Sequence, residues 1–94
     1  MLKFEWDESK NKKNIEKHGI SFEEASSVFL DEEALILTDE GHSQKEERFI
    51  LIGFSYKTNL LVVCHCYRER DSVIRIISAR KAGKKEREQY TGNL

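Results

Sequence analysis

Three stretches in the second half of the chain, Arg48 to Ser55, Leu60 to Tyr67 and Val73 to Ala79, are dense in β-branched, aromatic and aliphatic residues. That composition suits strands. The connections between them, Tyr56 to Asn59 and Arg68 to Ser72, are of hairpin length, so the three predict an antiparallel meander. A further strand is predicted ahead of them over Ala34 to Thr38, followed by a polar loop from Asp39 to Lys45 that contains Gly41. Such a sheet must bury a face against other elements, and the first third of the chain is left to supply them.

Phe4-Glu5-Trp6 reads as a short strand, and Asp7 as the N-cap of a helix running to about Lys17, with Gly19 placed to end it in a left-handed conformation. This helix is expected to lie mostly exposed, because Ile15 is its only strongly apolar residue and Lys10, Lys12, Lys13 and Lys17 make it basic. Ser21 and Glu24 form a capping-box pattern, after which Phe22, Ala25, Val28 and Phe29 recur at helical spacing until Asp31-Glu32-Glu33. That second helix is predicted to be a core element. Ala82, Glu86 and Tyr90 stand four apart within Lys81 to Tyr90 and predict a short terminal helix. Gly83 weakens its first turn, since glycine inside a helix costs about 1 kcal/mol relative to alanine. The order predicts an α+β fold, an antiparallel sheet of four to five strands with two N-terminal helices and a short C-terminal helix. The helices are expected to cover one sheet face and leave the other open for function.

Ninety-four residues give room for one hydrophobic core, hence one domain over 1–94. Proline is absent and glycine occurs five times, which argues against a linker or low-complexity tail. The amino end develops no apolar run of signal-peptide length, and a bilayer span needs about 20 apolar residues, so a cytoplasmic protein with no membrane association is expected. Cys64 and Cys66, two apart in a strand, read as small core residues rather than a disulfide framework. The net charge of −1 hides an asymmetry: Ser21 to Glu47 holds nine acidic residues and one basic, whereas Arg68 to Leu94 holds eight basic and four acidic. The carboxyl end is therefore the candidate polyanion-binding surface, or simply a solvated face.

Spaced blocks in the chain resemble one family. Phe4-Glu5-Trp6-Asp7, Asn14 to Ala25, Glu46-Glu47-Arg48, and Arg75-Ile76-Ile77-Ser78-Ala79-Arg80-Lys81-Ala82 followed by Glu86-Arg87 and Tyr90 are similar, in that order, to BrnT toxins. Gly83 departs from the pattern, where the family often carries a hydroxyl or other polar residue. The resemblance implies a RelE-like ribonuclease fold, RNA cleavage that stops translation, and neutralisation by a BrnA-type antitoxin in a hetero-oligomer. Operator DNA is then contacted only indirectly, through the antitoxin.

Metal-free RNA cleavage uses the ribose 2′-hydroxyl as an internal nucleophile, so the protein need only move protons and stabilise phosphoryl charge. No cofactor is expected, and no metal either, because Cys64, His65 and Cys66 alternate across a strand and cannot all converge on one ion. On Leu60 to Tyr67 the wholly apolar set Leu60, Val62, Cys64 and Cys66 is expected to face the helices. His65 and Tyr67 then point to the open face, where histidine can exchange a proton and tyrosine can stack on a base; the plainer reading of His65 is a local hydrogen bond.

Arg80, just past a strand, can offer its planar fork to a phosphate, and Arg75 is a second such candidate. Arg48, beside Glu46 and Glu47, is either a phosphate contact or the centre of a surface ion pair. His18 caps the end of the first helix or takes part in catalysis. His42 has no identifiable partner. Lys17, Lys81, Lys84, Lys85 and Arg87 read as RNA-backbone contacts, or the last four equally as the surface an acidic partner covers. The alternative function is a non-catalytic binding module that occupies a partner protein or the ribosome through the same basic end.

Overall fold

The computed structural model describes residues 2–39, 41, 46–92 and 94. In chain order its elements are β1 (Lys3–Glu5), α1 (Glu8–His18), α2 (Phe22–Ser27), a 3-10 turn (Val28–Leu30), β2 (Leu35–Thr38), β3 (Phe49–Phe54), β4 (Leu60–Arg68), β5 (Val73–Lys81) and α3 (Lys84–Gly92). The sheet order is β1-β5-β4-β3-β2. Strands β2 to β5 form the antiparallel meander, while β1 joins β5 in parallel, Lys3 opposite Val73 and Glu5 opposite Arg75. The fold is α+β with a mixed five-stranded sheet. A parallel pair cannot be closed by a hairpin, and here residues 6–72 form the connection between the two strands.

One sheet face is packed by the first two helices. Ile20, Phe22, Ala25 and Val28 meet Leu51, Leu61, Val63, Ile76 and Ala79, all buried, with Phe4, Trp6, Phe29 and Ala34 at the margin. The opposite face is not open along its length. Tyr90 of α3 closes over Ile52, Leu60 and Val62, flanked by Leu35, Leu37, Ile50 and Ala82. The expected orientation of β4 is therefore reversed: Leu61, Val63 and His65 face the first two helices, and Leu60, Val62 and Cys64 face the other way. Alternation separates the two sets correctly, but because α3 supplies a second apolar cover, the wholly apolar set does not mark the helix side.

The local signals act as read, with three refinements. Asp7 accepts from Lys10 N, and Gly19 ends α1 at φ 72°, its N–H donating to Ile15 O at 2.8 Å. Ser21 accepts from Glu24 N at 3.0 Å, but the Glu24 carboxylate does not return to the cap. It is buried and accepts instead from Ser55 Oγ at 2.7 Å and Asn59 Nδ2 at 2.8 Å, tying α2 to the β3–β4 hairpin. Gly83 lies ahead of α3 rather than within it, its carbonyl accepting from Arg87 N at 3.0 Å, so the mid-helix cost of glycine does not arise. Lys81 correspondingly belongs to β5.

Helix α1 is largely exposed, and Ile15 remains 43% accessible. Its anchor is polar. The buried Asn14 side chain donates to Ile20 O and Ala79 O, both at 2.8 Å, and accepts from Ala79 N at 3.1 Å. Since β1 covers β5 only from Val73 to Arg75, the strand edge at Ala79 has no backbone neighbour, and one amide satisfies both of its groups. Among the described residues no helix is long and apolar enough to cross a membrane.

Candidate active site

The residues facing away from the first two helices are fixed by the register. Val62 lies opposite Arg80, Cys64 opposite Ser78 and Cys66 opposite Arg75. Even-numbered residues of β4 share a face, so Arg80, Ser78 and Arg75 share it too. Arg80 stands five positions after Arg75, an odd interval that plain alternation sends to opposite faces. The irregularity in pairing at Cys64/His65 leaves Ile77 as an extra residue in β5, a bulge that restores both arginines to one side.

Where this face is not covered by α3 it forms a concavity of about 290 Å³ lined by Asp39, Arg48, Ile50, Val62, Cys64, Ile77, Ser78 and Arg80. Asp39 and Arg48 are brought side by side at the open end of the β2–β3 pair, Asp39 N donating to Arg48 O at 2.9 Å. The Cys64 Sγ is 3.8 Å from Asp39 Oδ2. Burial, and then the Asp39 charge, push the Cys64 thiol up to about 11, against a smaller opposing pull from Arg48. Cys64 is thus a neutral wall of the site, not a thiolate nucleophile.

Arg80 is oriented by a forked pair. Its Nη1 donates to Glu86 Oε1 at 3.0 Å and its Nη2 to Glu86 Oε2 at 3.3 Å, with a further contact from Nη1 to Lys81 O at 3.3 Å. Glu86 Oε1 also accepts from Gly83 N at 2.7 Å. The hydrogen bonds from Arg80 and then Gly83 hold the Glu86 carboxyl below its ordinary value, outweighing partial burial. Arg75 donates to Glu5 at 2.7 Å, and Arg68 meets Glu46 at 2.6 Å.

The remaining predicted residues lie elsewhere. His65 is fully buried on the helix-covered face, its ring centroid 4.8 Å from that of Phe29, 6.0 Å from Phe49 and 5.5 Å from Tyr67. Its Nδ1 lies 3.2 Å from Val63 O, and its Nε2 is buried without a hydrogen-bond partner. Burial lowers its pKa, only partly offset by the Val63 contact. The expectation that His65 and Tyr67 point to the open face is corrected, because the register places both on the same side as Leu61 and Val63. Tyr67 instead lines a separate concavity of about 350 Å³ with Glu46, Glu47, Phe49 and Asp71.

Lys17 and His18 occupy the last turn of α1, beside the Gly19 cap and near the negative end of the helix dipole. Lys81 stands opposite Leu61, on the helix-covered side. Lys84, Lys85 and Arg87 are exposed on α3, next to the arginine face. His42 lies outside the described residues. The structure therefore brings together Arg48 and Arg80, with Arg75 farther along the same face, and separates them from His65, Tyr67, Lys17 and His18.

Asp39, Ser78 and Glu86 were not singled out by sequence reasoning. The spacing Gly83-x-x-Glu86 is a usable signal for Glu86, since a carboxylate three residues into a helix can reach back to the N-terminal amides. Asp39 has no comparable local signal; only the β2–β3 register sets it beside Arg48.

A family model described as "Ribonuclease toxin, BrnT, of type II toxin-antitoxin system" matches residues 6–86. The 1.1 Å crystal structure of the Brucella abortus ribonuclease toxin BrnT superposes with a TM-score of 0.67 at 24% identity, covering 89% of this chain and all of that one. At that identity the likeness is one of fold. No curated protein matches the chain. With the family pattern running from Trp6 to Glu86 through both candidate arginines, the chain belongs to the BrnT family of ribonuclease toxins of type II toxin-antitoxin systems.

Proposed function

We propose that this chain is a metal-independent endoribonuclease that arrests translation, and that the concavity holding Arg48 and Arg80 is its active site. The observation that carries the reading is the convergence of Arg80 from β5 with Arg48 from just ahead of β3, with Asp39 beside them, on a surface only partly covered by α3. Guanidinium forks suit the equatorial oxygens of a phosphoryl group, and a site that excludes part of the solvent strengthens each contact. Arg80 and Arg48 stabilise the charge that builds on the phosphorane. Asp39 accepts the 2′-hydroxyl proton as the 2′-oxygen bonds to phosphorus. The P–O5′ bond then breaks, giving a 2′,3′-cyclic phosphate and a 5′-hydroxyl that takes up a proton.

Arg75, and Lys84 and Arg87 on α3, guide flanking phosphates along the same side of the molecule. His65, sealed among aromatic rings, is read as a structural residue, and Tyr67, within an acidic concavity, takes no part. Lys17, Lys81 and His18 lie away from this path and are at most peripheral contacts. A BrnA-type antitoxin silences the enzyme in a hetero-oligomer. Membership of a toxin-antitoxin family supports the partner, and the type of antitoxin is tested by co-expression and size exclusion with a BrnA-type protein.

The reading is tested by inducing the wild-type chain and an Arg80→Ala variant in growing cells and running total RNA from each. Growth arrest with RNA fragmentation from the wild type alone supports it. Arrest without fragmentation favours a binding module acting through the basic end.

A further inference from the structure

We infer that Glu86 is a positioning residue for the proposed ribonuclease reaction, setting the aim of Arg80 and coupling the start of α3 to the site; the inference rests on the proposed reading of Arg80. Both Glu86 oxygens engage the two terminal nitrogens of Arg80, at 3.0 and 3.3 Å. One of them is simultaneously fixed by the Gly83 amide at 2.7 Å. The carboxylate thus has a backbone anchor of its own and is not a free partner that follows the arginine. Lys81 O adds a second backbone contact to Nη1.

A guanidinium carries five N–H donors. Three of them are spent on Glu86 and Lys81, and the Nε–H and one Nη2 proton remain for a phosphate. The Arg80 side chain is still 45% exposed, so it is oriented without being covered. Ion pairs this exposed do little for stability, yet the geometry here is forked, anchored and located at the rim of the concavity. Holding a reacting group within a narrow range of orientation is worth most in the transition state, so the effect of Glu86 falls on turnover.

Gly83 also fits this arrangement. A Cβ built there comes within 3.2 Å of Glu86 Oε1, so the carboxylate sits closer to the helix start than most side chains at position 83 permit.

The test uses steady-state cleavage of a short RNA by the purified chain, with Glu86→Gln, Arg80→Ala and the double variant, alongside their melting temperatures. Glu86→Gln keeps an oxygen for the Gly83 amide but loses the charge and one side of the fork. The inference predicts a roughly tenfold fall in kcat with KM changed less than threefold and melting unchanged. It also predicts that Glu86→Gln has no further effect once Arg80 is alanine, because a positioning residue acts only through its target. Full activity in Glu86→Gln with Arg80→Ala inactive overturns the positioning role and leaves the ribonuclease reading intact. A rise in activity overturns it too, showing the carboxylate to compete with substrate. Undiminished cleavage by Arg80→Ala removes the proposed site and the inference with it.

Discussion

The two faces of the sheet are built on different terms. The face under α1 and α2 is filled with fully buried aliphatic and aromatic side chains, and its one histidine is sealed inside. The other face has its apolar cluster where Tyr90 covers it, and beyond that cover it carries Arg48, Arg75 and Arg80. Charge can be kept in a usable form only where water still reaches it, since burying an unpaired ion is costly. The thickly covered face therefore carries stability, and the half-covered one is where the proposed chemistry lies. Substitutions on the first should cost folding and leave intrinsic turnover alone; substitutions on the second should do the reverse.

Phe22 gives the largest effect on the stability side. It is completely buried, and Phe22→Ala should cost about 3–5 kcal/mol by loss of burial and creation of a cavity, read as a lowered denaturation midpoint. Any of that protein remaining folded should cleave at the normal rate. Arg80→Ala is the counterpart on the other face, with an expected loss of about 100- to 1,000-fold in kcat, the range for removing one donor to transition-state charge. Its melting temperature should move by less than about 8 °C, since exposed pairs contribute at most about 1 kcal/mol. If each variant lost both properties together, the division between faces would be broken.

Asn14 sharpens the comparison because a polar group does the work of a hydrophobic anchor. Asn14→Ala removes the side-chain partner of Ile20 O and strands the N–H and C=O of Ala79 at an edge β1 does not reach, and should cost about 2–4 kcal/mol from the buried groups left unsatisfied, measurable by urea unfolding. The smallest effect concerns His65. Its native pKa is held below the unfolded value of 6.5 by burial, so below about pH 6.5 the unfolded chain binds a proton that the folded chain resists. Stability should fall as pH drops through that window, by at most about 1.4 kcal/mol per pH unit, and His65→Leu should flatten that part of the curve. A wild type that gains stability toward acid relative to His65→Leu would contradict a lowered His65 pKa.

Much of this was legible from residue order. The hairpin meander, both N-caps, the Gly19 stop and the candidacy of Arg48 and Arg80 depend on local chemistry that the sequence displays. What it did not display depends on partners distant in the chain. Alternation in β4 defines two sets of side chains, but which set meets the first two helices was settled by α3 docking through Tyr90, whose hydroxyl donates to Asp31 at 2.8 Å across 59 positions. The parallel pairing of β1 spans 70 positions between Glu5 and Arg75. The bulge at Ile77 reverses the parity of everything after it in β5, and no residue type there announces it. Asp39 and Glu86 entered the site for the same reason: each is ordinary in sequence and acquires its role from what lies across the register or the helix start.

The most direct test of the central claim is incubation of the purified chain with a defined single-stranded RNA in excess chelator, with the ends of the products identified. Cleavage that persists in chelator, yields 2′,3′-cyclic phosphate and 5′-hydroxyl ends, and disappears in both Arg80→Ala and Arg48→Ala is the predicted result. Cleavage that stops on chelation and returns with a divalent cation, or that survives loss of both arginines, would contradict it.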